Sequence, residues 1–222
     1  MDDYQAFIDR RNAGRVLATR LAKYVGRDDV VVLALPRGGV PVAYEVASAL
    51  GVPMDVFLVR KLGTPGHREL AMGAIASGGV RVLNEDVVRW YGISDAAIEH
   101  IAREEHEELE RRERAYRGDR PAPDLTNRIL ILIDDGLATG STMRAAAQAV
   151  RAHRPARVVI AVPVGAPQTC AELAVVADEV ICARMPEPFS AVGQWYLNFD
   201  QTDDDEVREL LQKSIAIPQA HH

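Results

Sequence analysis

Asp134 and Asp135 are the first residues whose types and placement suggest chemistry: two carboxylates side by side, directly after the apolar run Ile129–Ile133. Adjacent ionised carboxylates repel, and burying them without donors or a metal is costly. The neighbouring hydroxyls of a sugar are suitable donors, one for each carboxylate. Just beyond lies "ATGST", Ala138 to Thr142, at the start of an apparent helix. Small residues there let backbone N–H groups approach an anion. The helix start adds favourable partial charge, and Thr139, Ser141 and Thr142 add hydroxyls around Gly140. No GxxxxGK[ST] and no GxGxxG occurs, so the cradle is neither a Walker loop nor a dinucleotide fingerprint. Hydroxyl acceptors followed by a phosphate cradle describe a ribose 5-phosphate site; the plainer alternative is a capping turn after an edge strand.

Three other segments carry chemistry-bearing residues. "LPRGGVP" (Leu35–Pro41) offers Arg37 as a charge, with Gly38 and Gly39 for close backbone approach. It is equally readable as a strand-to-helix turn. "VRKLGTPGHREL" (Val59–Leu70) is glycine-rich and basic and reads as a loop, with Arg60, Lys61, His67 and Arg68 as cations. "PEPFSAVGQWYLNFDQ" (Pro186–Gln201) carries Phe189, Trp195 and Tyr196, which could stack on a planar base or seal the end of a sheet as core aromatics.

The elements that must position these residues follow from periodicity. Val30–Leu35, Met54–Val59, Ile129–Ile133, Arg157–Val164 and Glu179–Ala183 are apolar throughout, which suits strands buried on both faces of a parallel sheet. Helices are expected over Val40–Leu50, Thr142–His153 and Pro167–Val176. The alternation implies a doubly wound α/β sheet. Glu69–Asn84, with Gly78-Gly79 at its centre, reads as a β-hairpin. Ser94–Gly118 reads as an inserted long helix, capped by Ser94 and closed by Gly118, with Ile98, Ile101, Leu109 and Tyr116 packing on its own domain.

Composition fits this scheme. The 222 residues are 48% hydrophobic and 26% charged, with a net charge of -6, which argues against a broad nucleic-acid surface. Cys170 and Cys182 lack motif spacing and read as small buried hydrophobes of a reducing compartment. "MDDYQAFIDRR" lacks the apolar core of a signal peptide, and no run is long enough to span a bilayer. A cytoplasmic protein without a membrane partner is expected. His221-His222 carries no functional weight.

"ILIDDGLATGST" (Ile131–Thr142) resembles the 5-phosphoribosyl-1-pyrophosphate (PRPP) motif of type I phosphoribosyltransferases. The resemblance extends from about Val30 to Asp200. It is strongest to stand-alone bacterial members of unassigned substrate, through "LPRGG", "VRK-G-PG", the "A-G-A" hairpin and the "AVG-WYL-F" pattern. It implies a doubly wound, mostly parallel sheet with a hairpin, the inserted helix and a small C-terminal hood over about residues 184–202, in a single domain covering 1–222. By the same resemblance, Asp134 and Asp135 hold the ribose and a Mg²⁺ ion. Ala138, Thr139, Gly140, Ser141 and Thr142 hold the 5-phosphate, and Arg37, Gly38 and Gly39 form a pyrophosphate loop. Lys61, His67 and Arg68 belong to a flexible catalytic loop that meets departing pyrophosphate. Phe189, Val192, Trp195 and Tyr196 line the base site.

The implied reaction joins a nitrogen nucleophile to C1 of PRPP and releases pyrophosphate. The implied partners are PRPP and a small-molecule acceptor, and the resemblance is compatible with a homodimer. Ala138 stands where the 6-oxopurine enzymes carry an aspartate that meets the base, whereas adenine- and uracil-type members read "LATG" as this chain does. A non-catalytic PRPP- or nucleotide-sensing regulator on the same fold is the alternative. A PRPP synthetase needs a longer, duplicated body.

Overall fold

The computed structural model describes residues 5–217, so His221-His222 lies outside the described residues. Five parallel strands form the central sheet: β1 (Val30–Ala34), β2 (Met54–Val56), β6 (Ile129–Ile133), β7 (Arg157–Val164) and β8 (Glu179–Arg184). They run in the order β2-β1-β6-β7-β8. Alternate side chains leave opposite faces of a strand, and the core divides accordingly. Val30, Val32, Ile129 and Ile131 pack with α1 (Arg10–Arg20), α2 (Gly39–Leu50) and α7 (Asp204–Ser214). Val31, Leu33, Leu130 and Leu132 pack with α5 (Ser141–Val150) and α6 (Pro167–Leu173). Burial on both faces is why these strands read as unbroken apolar runs.

A second, three-stranded antiparallel sheet contains β3 (Val59–Thr64), β4 (His67–Ala76) and β5 (Val80–Leu83). Two expectations are corrected here. Met54–Val59 is not one strand: the chain leaves the parallel sheet after Val56, and Val59 begins the antiparallel one. Val59–Leu70 is not a loop but most of a hairpin, with Thr64 paired to His67 around Pro65-Gly66. Leu62 and Met72 anchor it in the core, and Gly66 adopts the left-handed φ of +77° that the turn requires. The other hairpin turns at Gly78-Gly79, as expected.

The short α3 (Glu85–Trp90) follows β5, and the long helix α4 (Asp95–Arg117) begins at Ser94, whose side chain accepts from the Ala97 amide. Gly118 ends it. Ile98, Leu109 and Tyr116 are buried, and the helix packs on the antiparallel sheet and on α7. At its C-terminal end Arg117 reaches back to the sheet: Nε donates to Asp55 Oδ2 at 2.8 Å and Nη2 to the Val56 carbonyl at 3.1 Å. Cys170 on α6 and Cys182 on β8 are joined as a disulfide, which corrects the expectation of two unpaired thiols. Their separation of 12 residues matches no motif; only the packing of α6 on β8 brings them together. No helix among the described residues is long and apolar enough to cross a membrane.

Candidate active site

The order of the central sheet dictates where a ligand can enter. The chain adds β2 on one side of β1 and later β6 on the other. A crevice therefore opens between the carboxyl ends of β1 and β6, the topological switch point of such a sheet. The register places Ala34 beside Ile133. The next residues of the two strands thus face each other across that crevice: Leu35–Gly39 from β1 and Asp134–Gly136 from β6.

The approach is tight. A Cβ on Gly39 would lie 2.6 Å from the Ile133 carbonyl oxygen, and one on Gly38 would lie 2.1 Å from Asp135 Oδ2. Only glycine lets the two loops meet. The Pro36–Arg37 peptide is cis. Arg37 Nη1 lies 3.8 Å from Asp204 Oδ1 at the start of α7, in a half-exposed pair.

Asp134 and Asp135 are shielded from solvent, and their environments differ. Burial, and next the charge of Asp135, raise Asp134 well above the ordinary carboxylate range. Its Oδ1 accepts from the Asp135 amide at 2.8 Å. Burial also raises Asp135, but the Arg10 guanidinium opposes it, with Nε donating to Asp135 Oδ2 at 2.8 Å. Sequence reasoning missed Arg10. It lies 125 positions away, in an "RR" pair at a helix start that reads as ordinary surface charge.

A buried carboxyl with a raised pKa stabilises the fold below its unfolded value and loses that contribution as pH rises through its folded value. The ligand-free protein is therefore expected to lose thermal stability as pH climbs above the ordinary carboxylate range. Asp134→Asn should flatten that slope, as melting temperatures measured against pH for both proteins would reveal.

Beyond the pair, the loop to α5 forms the cradle. Gly140 has φ +67°, and a Cβ there would sit 2.6 Å from the Thr169 methyl. It contributes no side-chain cap, so the first-turn amides of α5 keep their donors for an anion. Thr169 Oγ1 donates to the Ala138 carbonyl at 2.7 Å and fixes the loop from α6. Thr139, Ser141 and Thr142 open onto a cavity of about 850 Å³ that residues of the antiparallel sheet also line, among them Lys61, whose Nζ donates to the Glu69 carbonyl at 3.3 Å. Arg60, next to Lys61 on β3, points to the other face and pairs with Glu105 of α4, so strand alternation divides the two cations between different tasks. His67 is exposed at the hairpin tip, its ring 5.4 Å from Tyr91. The Arg68 side chain lies outside the described residues.

The C-terminal hood contributes unequally. Val192 lies against Gly136, where a Cβ would meet its Cγ1 at 2.5 Å. Phe189 and Trp195 stack on each other, centroids 6.3 Å apart and planes 17° apart. Tyr196 corrects the expectation of a base-stacking ring. It is buried at 6% exposure, and its hydroxyl donates to the Asp135 carbonyl at 2.6 Å. Burial, and then Asp135, raise its phenol above the usual range and keep it a donor. Sequence alone cannot separate the two uses of an aromatic in such a segment.

The family model described as the phosphoribosyl transferase domain matches residues 8–193. The chain belongs to that family. Two phosphoribosyl transferase relatives with provisional names, from Mycobacterium tuberculosis strains CDC 1551 / Oshkosh and H37Rv, are each 52% identical over 208 residues, covering 94% of this chain and 47% of their own. The chain thus spans about half the length of the curated relatives it matches. A crystal structure of a protein from Thermus thermophilus is 43% identical and superposes with a TM-score of 0.83, over 94% of this chain and 99% of that one. In this phosphoribosyl transferase domain the acidic pair and the two-glycine loop meet at the switch point, and the cradle that follows them lines a cavity together with Lys61.

Proposed function

We propose that the protein is a PRPP-dependent phosphoribosyltransferase that joins a nitrogen nucleophile, a nucleobase or related heterocycle, to C1 of ribose 5-phosphate with loss of pyrophosphate. The observation that carries this reading is the contact of Gly38 with Asp135 at the switch point. It supports a pyrophosphate-binding role for the two-glycine turn and a ribose-binding role for the carboxylates beside it, with a phosphate-binding role for the following helix start. That order matches the order of groups along PRPP.

In this reading Asp134 and the free oxygen of Asp135 accept from the ribose hydroxyls. Backbone amides around Gly38 and Gly39 receive the pyrophosphate, and the α5 amides with Thr139, Ser141 and Thr142 receive the 5-phosphate. The donor set suits Mg²⁺, which takes one or two carboxylates and completes its shell with substrate oxygens. A cation would also favour the ionised form of Asp134. When bound, the metal neutralises charge on the leaving group. Asp134 and Asp135 would hold it, while the hood from Phe189 to Tyr196 excludes water and holds the acceptor in line.

Lys61 takes a different role from the one expected of a catalytic loop. Its place in the cavity that Thr139, Ser141 and Thr142 also line supports a contact with the 5-phosphate rather than with the leaving group. A charged hydrogen bond contributes about 1.5–3 kcal/mol. Lys61→Ala should therefore weaken both PRPP and ribose 5-phosphate, each by roughly tenfold or more. Loss of turnover with unchanged ribose 5-phosphate binding would return Lys61 to the pyrophosphate.

Ala138 offers a candidate acceptor only a methyl group, while its carbonyl is taken by Thr169. Adenine or another small nitrogen heterocycle is accordingly ranked above the 6-oxopurines. The test is initial-rate release of pyrophosphate from PRPP with Mg²⁺ across adenine, hypoxanthine, guanine, uracil and orotate. Adenine turnover with little from hypoxanthine or guanine is expected. Strong turnover of either 6-oxopurine would overturn the ranking. PRPP binding without turnover of any base would favour the sensing reading.

A further inference from the structure

Arg10 is the first residue of α1, far from every segment of the proposed chemistry in sequence. Three parts of its side chain are engaged at once. Nε donates to Asp135 Oδ2 at 2.8 Å, Nη1 donates to the Asp200 carbonyl at 2.6 Å, and the guanidinium carbon lies 3.9 Å from the centroid of the Phe199 ring. The side chains of Arg10 and Asp135 are only 12% and 16% exposed, so the pair is poorly screened and neither partner is easily replaced by water.

The surrounding backbone makes this contact more than a local ion pair. The segment before α1 is woven into the hood: the Phe7 amide donates to the Trp195 carbonyl, the Leu197 amide to the Phe7 carbonyl and the Asn198 amide to the Ile8 carbonyl. Residues 7–10 and 195–200 thus form one unit. Arg10 fastens that unit to a carboxylate assigned to ribose, on the side where Gly38 packs. A planar guanidinium can serve a carboxylate, a carbonyl and a ring face together; an ammonium cannot.

We propose that Arg10 is a positioning residue. It fixes the Asp135 carboxylate for the ribose hydroxyls and latches the hood to it, so that filling the sugar site and holding the hood closed are coupled. The assignment of Asp135 to ribose rests on the phosphoribosyltransferase reading; the latch itself does not. By linkage, whatever stabilises one end of the contact stabilises the other.

Two measurements on the full chain separate these parts. Hydrogen–deuterium exchange of the ligand-free protein reads the latch. Arg10→Gln and Arg10→Lys should both speed exchange of peptides covering 191–200 at least tenfold, leaving peptides from β1, β6 and β7 at their wild-type rates. That contrast also certifies that the variants are folded. Phe199→Leu, which keeps the carboxylate contact and removes the ring, should speed the hood less. Calorimetry with PRPP and Mg²⁺ reads the positioning role. Arg10→Gln should weaken binding tenfold or more, Arg10→Lys should recover most of the loss by restoring the charge, and Phe199→Leu should stay within about threefold of wild type.

Unchanged hood exchange in Arg10→Gln would overturn the latch. Wild-type PRPP affinity in Arg10→Gln would overturn the positioning role. Failure of the wild-type protein to bind PRPP at all would overturn the PRPP reading and with it the sugar-site half of the proposal, while the exchange result would still decide the latch.

Discussion

Replacing both members of the acidic pair, Asp134→Asn with Asp135→Asn, is expected to lower PRPP affinity by between about a hundredfold and ten-thousandfold. The range follows from two charge-assisted hydrogen bonds at about 1.5–3 kcal/mol each, at about 1.4 kcal/mol per decade. The single variants should differ in stability, because the two side chains are held differently. Asp134 is half-buried without a cation of its own, and its pKa is raised by desolvation and by its neighbour; Asp134→Asn relieves that cost and should leave the ligand-free protein as stable or more so at neutral pH. Asp135 is paired with Arg10, so Asp135→Asn leaves a shielded guanidinium without its carboxylate and should destabilise. Titration calorimetry with PRPP and Mg²⁺, together with thermal denaturation of each variant, separates the effects. Unchanged PRPP affinity in a folded double variant would remove the acidic pair from the site.

Arg117→Met, outside the site, is expected to produce a large loss of stability. Arg117 and Asp55 are 10% and 8% exposed, and the pair joins the end of α4 to β2. Burial raises Asp55, with Arg117 the main opposing influence. Removing one partner of a buried pair typically costs about 3–5 kcal/mol, because the other charge is stranded. In a chain of 222 residues that corresponds to a fall in melting temperature of roughly 6–20 °C. Replacing both partners together, Arg117→Met with Asp55→Leu, should recover much of the loss, since well-packed apolar residues of similar size often match a buried ion pair. A single variant that melts within a degree or two of wild type would show that water reaches Asp55.

Legibility in the sequence followed the range of the interactions. Ile129–Ile133, the aspartates after it and the cradle are consecutive, and the helix caps Ser94 and Gly118 act within a turn; each is readable because cause and effect are neighbours in the chain. The hairpin around Pro65-Gly66 was obscured for a different reason. Its glycines and cations resemble a loop, and only the burial of Leu62 and Met72 beneath α4 makes strands of it. The run from Met54 to Val59 conceals a change of sheet for the same reason. Leu58 leaves the parallel ladder because its amide donates to the Ser77 hydroxyl, nineteen positions on. Arg10, the disulfide and the burial of Tyr196 depend on contacts between distant segments, and no local pattern marks them.

The two sheets share no ladder: the five parallel strands and the three antiparallel ones are hydrogen-bonded as separate sets. Between them, Leu58 and Ser77 form a small main-chain and side-chain clasp; ion pairs from Arg60 to Glu105 and from Arg81 to Glu99 tie the antiparallel sheet to α4, and Leu62, Met72 and Ile75 pack into the core shared with the parallel sheet. A rotation of the antiparallel plate, carrying Lys61 toward or away from the cradle, would leave every rung of the central sheet intact. Such a rotation would have to repack Leu62 and Met72, which are fully buried in the core. The architecture thereby divides the molecule into a parallel chassis that sets the crevice and an antiparallel plate that carries Lys61, joined through a common core rather than through a common ladder.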